Sequence, residues 1–263
     1  MNNFTKEYEV AIQAAKKAGD YIRSKWETDF KIEHKGEINL VTEVDKAAEK
    51  IIVDCLAENF PKHDILGEED TATRQDSDYK WIIDPLDGTT NFAHGYPVFV
   101  VSIALEFQNE IKVAAIYDPV KDEMFSAQKN HGAYLNGKPI HVSSVKDLSQ
   151  SLVCTGFAYN FREVERNNIK DFCNMLMHAQ GVRRDGAAAI DLCYVACGRF
   201  EAFWELDLFP WDIAAGALII EEAGGKVTSY DGGDFSVYDK EILASNSKIH
   251  QEISNVLTES VDN

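Results

Sequence analysis

No run of eighteen apolar residues occurs in the sequence, so no segment reads as a transmembrane helix. The first residues, Met1 to Glu7, lack the basic start and apolar centre of a signal peptide, and no route to export is expected. There is no C-x-x-C pair, and the cysteines (Cys55, Cys154, Cys173, Cys193, Cys197) form an odd set, which argues against a disulfide framework and against a zinc site. Cys193 and Cys197 stand one helical turn apart and read as small core residues. A reduced, cytoplasmic protein is the expectation. The histidines show neither H-x-x-x-H nor H-E-x-x-H spacing, which removes the usual zinc hydrolases. A Walker P-loop, G-x-G-x-x-G and G-x-S-x-G are all missing, so kinase, dinucleotide-binding and serine-hydrolase readings lack their usual support.

Basic residues are scarce: 26 Lys and Arg face 44 Asp and Glu, a net charge of −18. Such a surface repels nucleic acid and anionic membranes, and neither is expected as a partner. It also repels phosphorylated small molecules unless bound cations invert the sign locally. Low-complexity tracts, repeats and long linkers are absent too, so the 263 residues read as continuous folded structure.

Apolar residues at helical spacing predict helices over Lys6–Trp26 and from Asp45 to Asn59, the second capped by Thr42 and ended before Pro61. From Ile65 the period shortens. Ile65-Leu66, Trp81 to Ile83, Val98 to Phe107 and Ile111 to Tyr117 read as strands, with hairpin turns at Gln108-Asn109 and Asn136-Gly137. The second half alternates: strands near Leu152 to Thr155, Phe200 to Trp204, Val227 and Leu243, and helices over Asn167–Ala179, Ala187–Cys197, Trp211–Ala223 and Lys248–Leu257. Gly198 and Gly224-Gly225 supply helix stops. Two sheets with helices between and outside them follow, an α+β or α/β chain divided near residue 148.

The most informative stretch is Trp81-Ile82-Ile83-Asp84-Pro85-Leu86-Asp87-Gly88-Thr89-Thr90. An apolar strand delivers two acids, and Pro85 is expected to stop its ladder. Gly88 frees the backbone where it must approach a ligand closely. Adjacent carboxylates raise one another's pKa unless they share a cation, and hard ions such as Mg²⁺ take such oxygens. By itself this is an acidic turn. Acids at three further places follow the same pattern of an apolar run delivering a carboxylate: Gly67-Glu68-Glu69-Asp70 after Ile65-Leu66, Asp212 after Trp211, and Asp45 after Asn39-Leu40-Val41-Thr42. Capping and solvation are the ordinary uses of each alone.

Gly67-Glu68-Glu69, the stretch Trp81 to Phe92, Arg184-Asp185-Gly186-Ala187-Ala188-Ala189 and Trp211-Asp212-Ile213-Ala214-Ala215-Gly216 together resemble the inositol monophosphatase family, over nearly the whole chain. The resemblance implies a layered αβαβα sandwich, commonly dimeric and often lithium-inhibited. Residues 1–148 would be an α+β half with the metal-binding motifs, and 149–263 an α/β half with substrate contacts. It implies two or three Mg²⁺ ions: one on Glu68, Asp84 and the Leu86 carbonyl, a second on Asp84, Asp87 and Asp212, a looser third near Glu68. Glu68 and the pair Thr89 and Asp45 would activate water. Gly88 and Thr89 amides would face the phosphate, while Glu205, Gly186, Ala187, Ala188, Asp87 and Asp212 would meet the leaving group. The implied reaction is hydrolysis of a small phosphorylated polyol or sugar, myo-inositol monophosphate first. Fructose 1,6-bisphosphate, histidinol phosphate or a nucleotide 3′-phosphate are alternatives, and a catalytically idle interaction scaffold is the rival of another class.

In water a phosphate dianion resists approach by hydroxide, and metals remove that barrier by acidifying water and receiving charge on the departing alkoxide. No residue reads as an activated nucleophile, so no phosphoenzyme is expected. Asp185 and the apolar loop Leu206-Asp207-Leu208-Phe209-Pro210 stand out as departures, with Leu208 and Phe209 open to a role between subunits. Arg183-Arg184 is expected to form a salt bridge rather than hold a second phosphate.

Overall fold

The computed structural model describes residues 4–28, 32–34, 40–69 and 71–258; Asn39 and Asp70 lie outside them. In chain order the elements are α1 (Thr5–Lys25), β1 (Ile32–His34), β2 (Leu40–Thr42), α2 (Glu43–Asn59), β3 (Asp64–Gly67), β4 (Ala72–Thr73), β5 (Tyr79–Asp87), α3 (Thr89–Ala93), β6 (Val100–Phe107), β7 (Glu110–Asp118), β8 (Glu123–Gln128), β9 (Ala133–Leu135) and β10 (Lys138–Pro139). Then come β11 (Leu152–Thr155), α4 (Ile169–Leu176), β12 (Gly181–Arg183), α5 (Ala188–Ala196), β13 (Ala202–Leu206), α6 (Pro210–Glu222), β14 (Lys226–Thr228), β15 (Glu241–Ser245) and α7 (His250–Thr258).

These elements stack in five layers. An eight-stranded sheet, β10-β9-β8-β7-β6-β5-β3-β4, is antiparallel except where β3 runs parallel to β5. A five-stranded sheet, β12-β11-β13-β15-β14, is parallel at β12-β11-β13 and antiparallel beyond. Successive residues of a strand face opposite ways. On β5, Trp81 and Ile83 therefore join α1 and α2 in one core, while Ile82 joins α5 and α6 in another. On β13 the same alternation sends Phe203 to the α5–α6 core, and Ala202 and Trp204 to the core shared with α7. Helices α5 and α6 thus fill the middle layer, buried along nearly their whole length, and their sequences are correspondingly apolar all round. The layered sandwich is the architecture. Among the described residues no helix is long and apolar enough to cross a membrane.

Two departures from the sequence expectation matter at the site. Pro85 does not end the ladder: β5 continues to Asp87, and the pairing with β6 shifts between Asp84 and Asp87. A bulge absorbs the missing donor and turns both carboxylates out at the end of the strand. The antiparallel sheet is also wider than expected, because β8, β9 and β10 continue it beyond β7. Both expected hairpin turns have left-handed backbone, with φ of 51° and 63° at Gln108-Asn109 and 49° and 74° at Asn136-Gly137.

Candidate active site

Asp84 is 2% exposed, and its Oδ1 accepts the Leu86 amide at 2.9 Å, which folds the Pro85 turn back on itself. Gly88 follows with φ 93°, and a Cβ there would lie 2.8 Å from the Val98 carbonyl, so this turn needs glycine. Thr89 opens α3. Its Oγ1 lies 2.8 Å from Asp45 Oδ1 and 3.1 Å from the Leu86 carbonyl. Asp45 is fully buried in the first turn of α2, where Oδ2 accepts the Thr42 amide at 2.9 Å and the Thr42 hydroxyl. Burial pushes its carboxyl up, and the Thr42 and Thr89 hydrogen bonds oppose the rise.

Glu68 arrives on the turn after β3, and its amide donates to the Ile83 carbonyl at 3.2 Å. The turn is held by Glu49 of α2, which accepts the Glu69 amide at 2.9 Å, the Thr71 amide at 3.1 Å and the Thr71 hydroxyl at 2.6 Å. From the other side, Asp212 sits in the first turn of α6 with Oδ2 accepting the Phe209 amide at 2.7 Å. The first turn of α5 donates the Ala189 amide to Asp87 Oδ2 at 2.7 Å.

These four acids feel one another. Asp84 is raised well above the usual carboxylate range, first by burial and then by Glu68, Asp87 and Asp212, and Glu68 hydrogen-bonds to it. Asp87 is pushed up to about 7 by burial and by Glu68, against the pull of the Ala189 and Ala188 amides. Asp212 is pushed up to about 7 by burial and by Asp87. Among the described residues no three such side chains stand in a finished metal-binding arrangement. Their chemistry nevertheless fits a hard divalent cation: oxygen donors only, crowded, desolvated and mutually repelling, a condition that a shared cation relieves.

Facing this cluster is a second group of acids. Glu205 on β13 is 8% exposed and raised well above its ordinary range by burial, then by Asp212 and Asp87, with Arg184 opposing. Asp191 of α5 is 1% exposed, its Oδ1 has no hydrogen-bond partner among the described residues, and it is raised by burial, Asp185 and Glu205. Gly186 adopts φ 83°, and its loop is tied to α3 by Asn91, whose Nδ2 donates to Val98 O at 2.7 Å and Asp185 O at 2.8 Å. Burial also pushes up Asp185, with Arg183 and Lys121 opposing.

Residues 4–262 match the inositol monophosphatase family. An inositol-1-monophosphatase of Synechocystis sp. is 47% identical over 95% of this chain and 88% of its own. A Nus factor SuhB of Pseudomonas aeruginosa is 44% identical over 91% of both chains. The solved inositol monophosphatase of Anabaena (Nostoc) sp. superposes with a TM-score of 0.89 at 43% identity, covering 97% of this chain and 96% of its own.

The chain belongs to the inositol monophosphatase family. It is a phosphomonoester hydrolase.

Glu68, Asp84, Asp87, Asp212 and Glu205 reach one region of this phosphatase's fold, with Asp45 joined to it through Thr89, although they come from α2, the β3 turn, β5, β13 and α6. Ala187 and Ala188 lie at the start of α5, whose next amide is already engaged by Asp87. The expected salt bridge at Arg183-Arg184 is not formed among the described residues. Arg183 Nη1 donates to the Val182 carbonyl at 3.2 Å instead, and Arg184 stands in the field of Asp191 and Glu205 without pairing. Leu208 joins the core between the sheets, whereas Phe209 stays exposed and stacks on Trp211 at 5.0 Å. Sequence reasoning missed Asn91, Glu49, Asp191 and Tyr159. The Tyr159 hydroxyl leans toward Thr90 within the field of Glu68, Asp87 and Asp212. Asn91 follows no apolar run, so the pattern that exposed the other acids passes over it; Asp191 does follow one, Ala187 to Ile190, and that signal could have found it.

Proposed function

We propose that this phosphatase hydrolyses myo-inositol monophosphate, or a polyol monophosphate of the same kind, with Mg²⁺ and a directly attacking water. The observation that carries the reading is the convergence of Glu68, Asp84, Asp87 and Asp212 beside the Thr89–Asp45 pair. Glu68, Asp84, the Leu86 carbonyl, Asp87 and Asp212 would hold two or three ions. When bound, Mg²⁺ supplies positive charge for the phosphate dianion and lowers the pKa of water.

The remaining work falls to the chain itself. Thr89 Oγ1 donates its proton toward Asp45 Oδ1, which leaves oxygen lone pairs to accept a hydrogen bond from water and to aim it at phosphorus. Asp45, raised by burial, is a receptive end for that proton, and the Thr42 contacts hold it in line. Glu68 is the second proton acceptor at the same face. Gly88 and Thr89 amides meet the phosphate. Across the site the Glu205 carboxylate and the Gly186 to Ala188 backbone meet the hydroxyls of the departing polyol. A homodimer is the proposed assembly.

Release of phosphate from myo-inositol 1-phosphate, fructose 1,6-bisphosphate, histidinol phosphate and a nucleotide 3′-phosphate, compared as kcat/KM with millimolar Mg²⁺, tests the substrate. Preference for the inositol ester is expected; a higher kcat/KM for any other would replace it. Arg184, which forms no ion pair among the described residues and stands near Glu205, favours an ester with a second phosphate. The scaffold reading draws on the relative called a Nus factor. Asp87→Asn separates it: full cellular function without turnover would favour the scaffold, and lost function the enzyme.

A further inference from the structure

The carboxylate of Glu205 is held in an unusual way. It is buried, yet among the described residues no hydrogen bond reaches it. Its place is set by shape. Strands β11 and β13 run parallel with Thr155 opposite Trp204, so the next residues, Gly156 and Glu205, are also neighbours. A Cβ built on Gly156 would lie 2.2 Å from Glu205 Oε2, 2.3 Å from Oε1 and 2.4 Å from Cδ. All three atoms belong to the far end of one flexible side chain. A methyl group at Gly156 would therefore be relieved by swinging the carboxylate away, with the backbone left in place.

The glycine is fixed with equal care. Asn168, which precedes α4 and is 2% exposed, donates from Nδ2 to Thr155 Oγ1 at 2.6 Å and to the Gly156 carbonyl at 2.7 Å. Its Oδ1 accepts Trp204 Nε1 at 2.7 Å. Thr155 Oγ1 in turn donates to the Trp204 carbonyl at 2.5 Å. One buried amide thus ties the end of β11 to the residue beside Glu205. Buried polar networks of this kind hold neighbouring segments in a single arrangement when every member is satisfied.

We infer that Gly156 and Asn168 are positioning residues for leaving-group recognition: Gly156 is the seat of the Glu205 carboxylate, and Asn168 locks that seat to β13. This rests on the reading that Glu205 meets the hydroxyls of the leaving group. Displacing a carboxylate that hydrogen-bonds substrate in both ground and transition state changes KM more than kcat.

The test is steady-state kinetics on myo-inositol 1-phosphate at saturating Mg²⁺. Gly156→Ala is expected to raise KM about tenfold, the loss of one charged hydrogen bond, with kcat and melting temperature little changed. Asn168→Ala should raise KM in the same sense. On a Glu205→Ala background neither change should raise KM further, because the group they place is gone. A merely structural role would lower stability and leave that coupling at zero. Should Gly156→Ala fold poorly, Glu205→Asp supplies the space by withdrawing the carboxylate one methylene. The double variant should then fold and match Glu205→Asp alone in KM. If Glu205→Ala itself leaves KM unchanged, the parent reading fails. If Glu205→Ala raises KM but Gly156→Ala does not, or raises it equally with Glu205 absent, the positioning role is overturned.

Discussion

Thr89 has one hydroxyl proton and two acceptors within reach, Asp45 Oδ1 at 2.8 Å and the Leu86 carbonyl at 3.1 Å. Thr89→Val keeps the shape and removes the proton. Asp45 keeps both Thr42 contacts, so the expected stability loss is about 1 kcal/mol, whereas kcat should fall by roughly 10²–10³. Stopped assays with urea melts on the same preparation check both; wild-type kcat would remove Thr89 from the proton path. At this scale the acids were legible because each stands where an apolar run stops. Other residues act through partners remote in sequence. Asn91 reaches Asp185 across 94 positions, and Glu205 meets Gly156 only because β11 and β13 pair. No local pattern encodes such a meeting, and only the sheet reveals it.

At the scale of elements, α5 and α6 jointly set the far wall of the site, since α5 donates the Ala189 amide to Asp87 and α6 carries Asp212. Their close approach depends on Gly216. A Cβ there would lie 2.5 Å from Leu192 Cδ1 and 2.6 Å from Leu192 Cβ, and the second atom cannot swing aside. Gly216→Val is expected to cost roughly 1–3 kcal/mol by overpacking. Calorimetry should show a lower melting temperature, and an unchanged one would mean the helices separate freely. The outer layer carries its own dependence on pH. His250 of α7 is 2% exposed, with Nε2 against Thr228 Oγ1 at 2.9 Å and Nδ1 against Ser245 Oγ at 2.8 Å. Burial and Lys226 push its pKa down to about 4, so the folded ring stays neutral where the unfolded ring takes up a proton. Its contribution is present above about pH 6.5 and is lost as pH falls toward about 4, at most about 3 kcal/mol. Urea midpoints at pH 7 and 4.5 should differ less for His250→Asn than for wild type. Equal differences would remove His250 as the cause. Helices α1 and α2 were legible in the sequence because burial on one face leaves a period, and α5 and α6 because they read as apolar runs ended by glycine. The continuation of β5 through Pro85 was not, because a bulge is a property of the pairing with β6 and not of the strand alone.

Across the whole molecule a net charge of −18 surrounds a partly buried cluster of acids raised by burial and by one another. Self-repulsion in that cluster opposes folding, so the site and the stability of the sandwich are linked through whatever cation neutralises it. Mg²⁺ at a hundredfold excess over its dissociation constant stabilises a folded state by about 2.7 kcal/mol, which corresponds to roughly 5–10 °C in melting temperature for a chain of this size. Sodium at matched ionic strength separates site binding from general screening, because screening alone would raise the melting temperature equally with either salt. Asp212→Asn sharpens the argument. The amide oxygen can still accept the Phe209 amide, so the α6 cap survives while one charge of the cluster disappears. The chelator-treated variant is therefore expected to melt above chelator-treated wild type, to gain less from Mg²⁺, and to turn over far more slowly. A variant that melts lower without Mg²⁺ would show that Asp212 is stabilising on its own account. The cluster would then be a structural network, and stability and catalysis would no longer pull in opposite directions at this site.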